Sequence, residues 1–331
     1  MVSLASKPSS ADQSKHIQVS PLTLTIGAEI HRVDLKRPLS PEQLKEVRAA
    51  FLSWKVIFFR GQHLDHAQHI AFARQFGAPT IGHAVFGHLA EYPEVYSVAK
   101  VRAGNSDQDI TPRTPWYGWH TDITAAINPP AASILRGVTI PPYGGDTYWT
   151  NLAAAYRGLS KPMRDFVDGL RGVHKFVPRD NAEGMEYNDL LKKRVLETEH
   201  PLVTIHPETG ERVLYVSPSF LTSIVGLTPR ESQKILEILW EHITRSDYTV
   251  RFKWEEGDVA FWDNRATSHL APTDILDSDF DRLLYRVTIV GQIPTGVDGR
   301  PSRSLKGEPI FSAAHELEQP KTGAGGTMMD V

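Results

Sequence analysis

Apolar and polar residues alternate through Ile17-Gln18-Val19 and again through Leu22-Thr23-Leu24-Thr25-Ile26, the two-residue period of half-buried strands, and Gly27 follows as a turn residue. The chain therefore opens with β-structure. At Ser40-Pro41-Glu42-Gln43 the pattern changes: an N-cap residue, a proline at the first helical position and a glutamine three residues on precede Leu44, Val47, Ala50 and Phe51 at helical spacing. These predict a helix to about Trp54. Lys55-Val56-Ile57-Phe58-Phe59 is too short and too β-branched for a helix and reads as a buried central strand. A second helix is expected from Asp65 to about Phe76, stopped by Gly77.

Residues 101–118 are polar and turn-prone, with Gly104, Asn105, Pro112 and Pro115, and fit no element. A loop of this length in a compact domain is a lid or a binding segment, and this one leads directly into Trp119-His120-Thr121-Asp122. Beyond it, after the apolar run Ala131-Ala132-Ser133-Ile134-Leu135, Pro141-Pro142-Tyr143-Gly144-Gly145-Asp146-Thr147 turns tightly into the strand Thr147-Tyr148-Trp149, and the two glycines suit positive φ. Ser160-Lys161-Pro162 begins a helix that should carry Met163, Phe166 and Val167 inward. Thr228-Pro229-Arg230-Glu231 is a full capping box, and Ile235, Leu236, Ile238 and Leu239 give its helix an apolar face reaching Ile243. The closing third returns to β-structure: residues 248–254 alternate, Glu256-Gly257-Asp258 turns, Val259-Ala260-Phe261-Trp262 pairs back, and 282–290 forms a last strand. The fold class is mainly β with α additions, a sandwich or barrel of short strands with helices grouped outside. The expected organisation is a disordered N-terminal tail over residues 1–15, one domain over 16–295, and an extended or disordered C-terminal tail over 296–331, where apolar residues are sparse.

Composition narrows the function. A net charge of −3 with Lys and Arg scattered among Asp and Glu gives no basic footprint, so nucleic acid is not an expected partner. No apolar stretch approaches the roughly 18 residues of a membrane helix, and the N-terminus is polar where a signal peptide would be apolar. A cytoplasmic protein without membrane contact is expected, either alone or as a homo-oligomer (dimer or tetramer). The absence of cysteine excludes disulfides, thiolate nucleophiles and Cys-ligated metals, so any metal must be held by His and carboxylates.

His120 and Asp122, two apart on an extended segment, point the same way and can grip one ion together. Taken alone they also read as strand residues satisfying the backbone. His269, at the end of a later strand, is the candidate third ligand. Two His and one carboxylate on one octahedral face leave three positions open, the arrangement of non-haem Fe(II) oxygenases. A zinc hydrolase uses a similar set, with one open position and a base for its water. Arg282 and Arg286, four apart on the final strand, can both face the interior, where two guanidiniums are costly unless paired with anions. No acidic cluster in the local sequence obviously matches them, so they are expected to bind anionic ligands. Asp263 is read as a local hydrogen-bonding residue and not a ligand.

Taken together, Trp119-His120-Thr121-Asp122, Gly144-Gly145-Asp146-Thr147, Trp262-Asp263-Asn264-Arg265 with His269, and the Arg282/Arg286 pair resemble the taurine dioxygenase family of Fe(II)/2-oxoglutarate enzymes, most closely its alkylsulfatase branch. The resemblance runs over residues 17–303. It implies a double-stranded β-helix (jelly roll, cupin-like) core flanked by helices, with His120, Asp122 and His269 holding Fe(II), and Thr147 and Arg282 binding the far carboxylate of 2-oxoglutarate. It further implies that Arg286 meets the substrate anion, helped by His83 of His83-Ala84-Val85-Phe86, and that Ile123, Phe220 and Phe86 line the substrate channel. The activity implied is hydroxylation, with O2 and 2-oxoglutarate as co-substrates, of the carbon next to a sulfate ester or sulfonate. The products are an aldehyde, sulfate or sulfite, succinate and CO2, a sulfur-scavenging reaction. Two other readings stand beside it: the same chemistry on a carboxylate such as an aryloxyalkanoate or amino acid, and a non-catalytic jelly-roll metal-binding or sensing protein. The sequence departs from the family's pattern in a longer stretch between His269 and Arg282 and in Trp116-Tyr117, which points to the 101–118 loop as the place of substrate choice.

Overall fold

The computed structural model describes residues 15–99, 114–177, 184–271, 273–275 and 278–318. Its strands, in chain order, are β1 (Gln18–Pro21), β2 (Ala28–His31), β3 (Val56–Phe59), β4 (Tyr96–Ala99), β5 (Ala132–Thr139), β6 (Thr147–Asn151), β7 (Arg171–Lys175), β8 (Glu197–Pro201), β9 (Val203–Ile205), β10 (Arg212–Leu214), β11 (Leu221–Ile224), β12 (Thr249–Phe252), β13 (Val259–Asp263), β14 (Thr267–Leu270), β15 (Leu283–Ile289) and β16 (Arg303–Lys306). The helices are α1 (Pro41–Trp54), α2 (His66–Arg74), α3 (Leu152–Gly158), α4 (Lys161–Val167), α5 (Gly184–Lys193), α6 (Pro229–Ile243) and α7 (Ala313–Glu318). The capping residues do what their chemistry allows. Ser40 and Gln43 close a reciprocal box on α1, Asp65 and Gln68 on α2, and Thr228 and Glu231 on α6.

Seven strands form the main sheet in the order β1-β2-β3-β13-β5-β15-β4, and β12-β6-β14 faces it. Between the two sheets Phe58 stacks on Phe252 at 4.0 Å and Trp149 meets Trp262 edge-on at 5.6 Å. On the outer side of the main sheet α1 and α2 press Phe51 and Phe72 onto Phe261. With both faces covered, β3 and β13 are buried at every position, which is why they read as unbroken apolar runs. A four-stranded sheet, β11-β7-β8-β16, and the hairpin β9-β10 extend the molecule on the side where α3 and α6 pack. Two facing sheets with helices outside them is the double-stranded β-helix arrangement the resemblance implies. No helix of the described residues is long and apolar enough to cross a membrane.

Several expectations are corrected. Leu22-Thr23-Leu24-Thr25-Ile26 is a turn, not a strand: the Thr23 hydroxyl accepts from the Thr25 and Ile26 amides, and Leu24 is 85 % exposed. The alternation there belongs to a capped loop, and the strand that pairs with β1 is β2. Phe166 faces outward from α4, leaving Val167 as its buried residue, and Ile238 is exposed on α6. The C-terminal stretch is not a bare tail. Residues 296–318 carry β16, paired with β8, and α7, and they bury Ile310 and Ala313. Few apolar residues suffice because an existing sheet edge supplies the hydrogen bonds. The N-terminal tail, apart from Lys15, lies outside the described residues, as do positions 101–113 of the expected lid. Trp116, at the end of that loop, packs against Trp240 of α6 at 6.0 Å.

Candidate metal centre and substrate site

His120 and His269 are held opposite each other by backbone: the His120 amide donates to the His269 carbonyl at 2.9 Å, and the reverse bond is 2.7 Å. This pairing fuses the loop before Asp122 to β14 and brings the two imidazoles to a centroid distance of 4.1 Å. Asp122 then starts a turn rather than continuing a strand. One ligand atom from each of His120, Asp122 and His269 lies within 4.8 Å of the other two, and among the described residues this is the one such group. His120 Nδ1 is 3.0 Å from the Gly118 carbonyl, so Nδ1 carries the proton and Nε2 keeps its lone pair for a metal.

Electrostatics prepare the three groups in the same sense. Burial pushes both imidazoles down, His269 well below its ordinary value, so both are neutral donors. Burial raises the Asp122 carboxyl, but the Arg286 guanidinium, helped by the Ser133 hydrogen bond, outweighs it and holds the group well below the usual carboxylate range. Asp122 is oriented on both oxygens: Ser133 Oγ donates to Oδ2 at 2.5 Å and Arg286 Nη1 to Oδ1 at 2.5 Å. Behind Ser133, Asn264 Nδ2 donates to the serine oxygen at 2.8 Å, and Trp262 Nε1 donates to Asn264 Oδ1 at 2.9 Å. Two neutral imidazole nitrogens, one ionised carboxylate and an unpartnered buried His269 Nδ1 fit a divalent metal of the N,N,O type.

Arg282 is buried, and its Nε donates to the Gly145 carbonyl at 3.0 Å. Among the described residues no carboxylate comes within ion-pairing distance of it, and burial lowers its pKa to about 10. A buried guanidinium that feels the Asp274 and Asp146 carboxylates without ion-pairing to either has room for an anion. Gly145, at φ 66°, makes the approach: an added Cβ would sit 3.0 Å from Arg282 Nε and Cδ. Thr147, two residues on, is buried at the start of β6, and its oxygen accepts from Trp254 Nε1 at 3.0 Å, leaving its hydroxyl proton for another acceptor.

Arg286 departs from expectation. It does have an acidic partner, Asp122, far away in sequence and adjacent only after the loop meets β15. Its Nε is buried without a partner, and the guanidinium lies 5.4 Å over the Tyr96 ring. His83 Nδ1 accepts from the Val85 and Phe86 amides at 3.1 and 3.0 Å, which leaves the proton on Nε2. Burial, with Arg286 nearby, takes His83 to about 3, so it is a neutral donor. Ile123, Phe220 and Phe86 fall in one apolar cluster beside Asp122, together with Phe176, which meets Phe220 edge-on at 5.0 Å. Asp263 is satisfied by His206 and Arg265 and turns its carboxylate to them.

Sequence reading missed Ser133, Tyr96, Phe176 and, apart from Phe220, the segment 171–224. Ser133 left one signal, a lone hydroxyl inside the apolar run 131–135. A cavity of about 300 Å³ is bounded by Phe176, Leu191, Leu196 and the basic Lys175, Lys192 and Arg194. A larger one of about 380 Å³, bordered by Pro129, His206 and Ile293, contains none of the three ligand residues.

Residues 18–288 match the family model described as taurine catabolism dioxygenase TauD, TfdA family. The chain is 38 % identical over 307 residues to an alpha-ketoglutarate-dependent sulfate ester dioxygenase from Pseudomonas putida, a match covering 89 % of this chain and 97 % of the relative. It is 35 % identical over 323 residues to an alkylsulfatase from Acinetobacter baylyi, covering 94 % and 96 %. Among solved structures, a taurine dioxygenase from Burkholderia xenovorans superposes with a TM-score of 0.79 at 62 % identity, covering 89 % of this chain and 97 % of that one.

Proposed function

The chain belongs to the TauD, TfdA family of 2-oxoglutarate-dependent dioxygenases, and on that premise we propose that it hydroxylates the carbon next to a sulfate ester, releasing sulfate and an aldehyde. The observation that carries the substrate reading is the pairing of a neutral His83 donor and the partly unpartnered Arg286 with an apolar cluster, all beside Asp122. An anion with an alkyl body matches such a site at both ends. Similarity to a sulfate ester dioxygenase and an alkylsulfatase supports the choice of ester.

His120, Asp122 and His269 would hold Fe(II). With 2-oxoglutarate and O2 bound, the iron supplies the oxidising power that converts a C–H bond to C–OH, with succinate and CO2 as the other products. The remaining work falls to the protein. Arg282 and the Thr147 hydroxyl take the far carboxylate of 2-oxoglutarate, the guanidinium through the donors it does not spend on Gly145. Arg286 keeps one N–H on Asp122 and offers others to the ester's sulfate, with His83 Nε2–H as a second donor. Ile123, Phe86 and Phe220 hold the alkyl part and keep water away from the reacting carbon. Once that carbon bears both a hydroxyl and the sulfate oxygen, its C–O bond to sulfate breaks as the hydroxyl loses its proton and becomes the aldehyde carbonyl. Sulfate leaves without attack at sulfur, so no nucleophilic side chain is required.

Incubating ferrous enzyme and 2-oxoglutarate with alkyl sulfates, taurine and aryloxyacids, and measuring sulfate, sulfite and succinate, tests this. Equimolar sulfate and succinate from alkyl sulfates is expected. Succinate stimulated by carboxylates alone would overturn the sulfur reading.

A further inference from the structure

Ile123 directly follows the candidate ligand Asp122, and its φ of 48° places a β-branched residue in the left-handed region, which Gly, Asn and Asp enter far more readily. Such a conformation persists only where neighbouring contacts impose it. Here they come from β7 and β8, in the four-stranded sheet. The Thr124 hydroxyl is 3.0 Å from His174 Nδ1, and the Thr124 and Ala126 carbonyls lie 2.8 and 3.2 Å from His200 Nε2. Between them the Ala125 carbonyl accepts from Thr198 Oγ1 at 2.8 Å. Two carbonyls facing one nitrogen fix His200 as the Nε2–H tautomer, and its Nδ1 lies 2.6 Å from Ser302 Oγ in the C-terminal segment. Both histidines are fully buried, with ring centroids 4.9 Å apart, and the proposed reaction uses neither.

We propose that His174 and His200 form a clamp on residues 124–126 that holds Ile123 in its left-handed conformation and thereby sets the direction in which Asp122 presents its carboxylate. Both are positioning residues. His120 is fixed separately by its backbone pairing with His269, so the register of Asp122 against the two imidazoles depends on the chain leaving residue 122 in one direction. Without the clamp Ile123 relaxes to the broad right-handed regions and the carboxylate swings away from the histidines. Two histidines serving only to fill the core would have no reason to direct their hydrogen bonds at Thr124 and Ala126, just past a candidate ligand.

The inference rests on the metal reading of the site, and Mn(II) binding to the apo protein, followed alongside thermal unfolding, tests both separately. His200→Leu is expected to weaken Mn(II) binding by about tenfold or more, as removal of a ligand's supporting contact does. His200→Gln, which keeps an N–H donor near Nε2, should restore most of it. Glycine takes positive φ without strain, so in an Ile123→Gly background the His200→Leu loss should shrink to about threefold or less. An equal loss in both backgrounds, or a folded His200→Leu protein with unchanged affinity, overturns the clamp. If His200→Leu does not fold, Thr124→Val, which lacks the hydroxyl that meets His174, takes its place in the same comparison with the same criteria. A wild-type protein that bound no Mn(II) would bring down the metal reading and the clamp together.

Discussion

Asp122 has a donor on each oxygen, Ser133 on Oδ2 and Arg286 on Oδ1, so its orientation is imposed from two sides. Asp122→Ala should abolish Mn(II) or Co(II) binding in titrations of the apo protein. Ser133→Ala keeps the carboxylate and removes one of its supports, and should weaken binding roughly tenfold. Unchanged affinity in the first variant would remove Asp122 from the ligand set. Arg282 stands in a different relation to the site. Buried, bonded to a carbonyl and in no direct ion pair with the nearby Asp274 and Asp146, it is poised for an anion. Arg282→Leu is expected to raise KM for 2-oxoglutarate by roughly thirtyfold or more, from about 2 kcal/mol or more for losing a buried charge partner. KM for the sulfate ester should move little, and a parallel rise in both would argue against a dedicated carboxylate site.

At the scale of elements, the segment after residue 295 does more than its composition suggests. β16 completes the edge of the four-stranded sheet, Ser302 meets His200, and Ile310 is 2 % exposed. Deleting residues 296–331 should lower unfolding free energy by at least about 3 kcal/mol, the cost of removing a buried aliphatic side chain and its packing. Urea denaturation reads this out, and a full-stability truncation would show the segment to be dispensable. Phe176, just past β7, belongs to the apolar cluster at Ile123 and also lines the cavity of about 300 Å³. Phe176→Ala should enlarge the space beside that cluster and raise kcat/KM for longer alkyl sulfates relative to shorter ones. A preference that stays put would place the end of the substrate elsewhere.

Across the whole molecule, buried neutral histidines set an acid limit. Burial takes His69 to about 3 and His200 to about 4. Their folded values lie below the unfolded one of about 6.5, so as pH falls through that value the unfolded chain binds protons that the folded chain refuses. Stability is therefore full above about 6.5 and declines as pH drops toward the folded values. Between pH 6.5 and 4.5 each such histidine contributes a loss of up to about 3 kcal/mol. Urea midpoints should fall across that window, ahead of most carboxylate titration, and His200→Gln should flatten part of the slope. A flat profile would mean that these rings are hydrated in the folded state.

The candidate ligand set, the two arginines, Thr147 and the helices α1 and α6 stood out in the sequence because each has a local signature: a spacing of two or four, a capping box, or a motif shared with a family. Where local pattern failed, the cause was a contact made at long range. The alternation at residues 22–26 belongs to a turn closed by the Thr23 hydroxyl, and sparse apolar content after residue 295 concealed a strand that borrows its partner from β8. Arg286 looked unmatched because its acid, Asp122, lies far back in the chain and reaches it only when the loop packs on β15. The sequence by itself determined which atoms can bind a metal and an anion, since donor chemistry resides in the side chain. Only tertiary structure decided their directions: the Ser133–Asn264–Trp262 hydrogen bonds, the left-handed turn at Ile123 and the histidines that hold the residues after it are set by residues brought together through two different sheets.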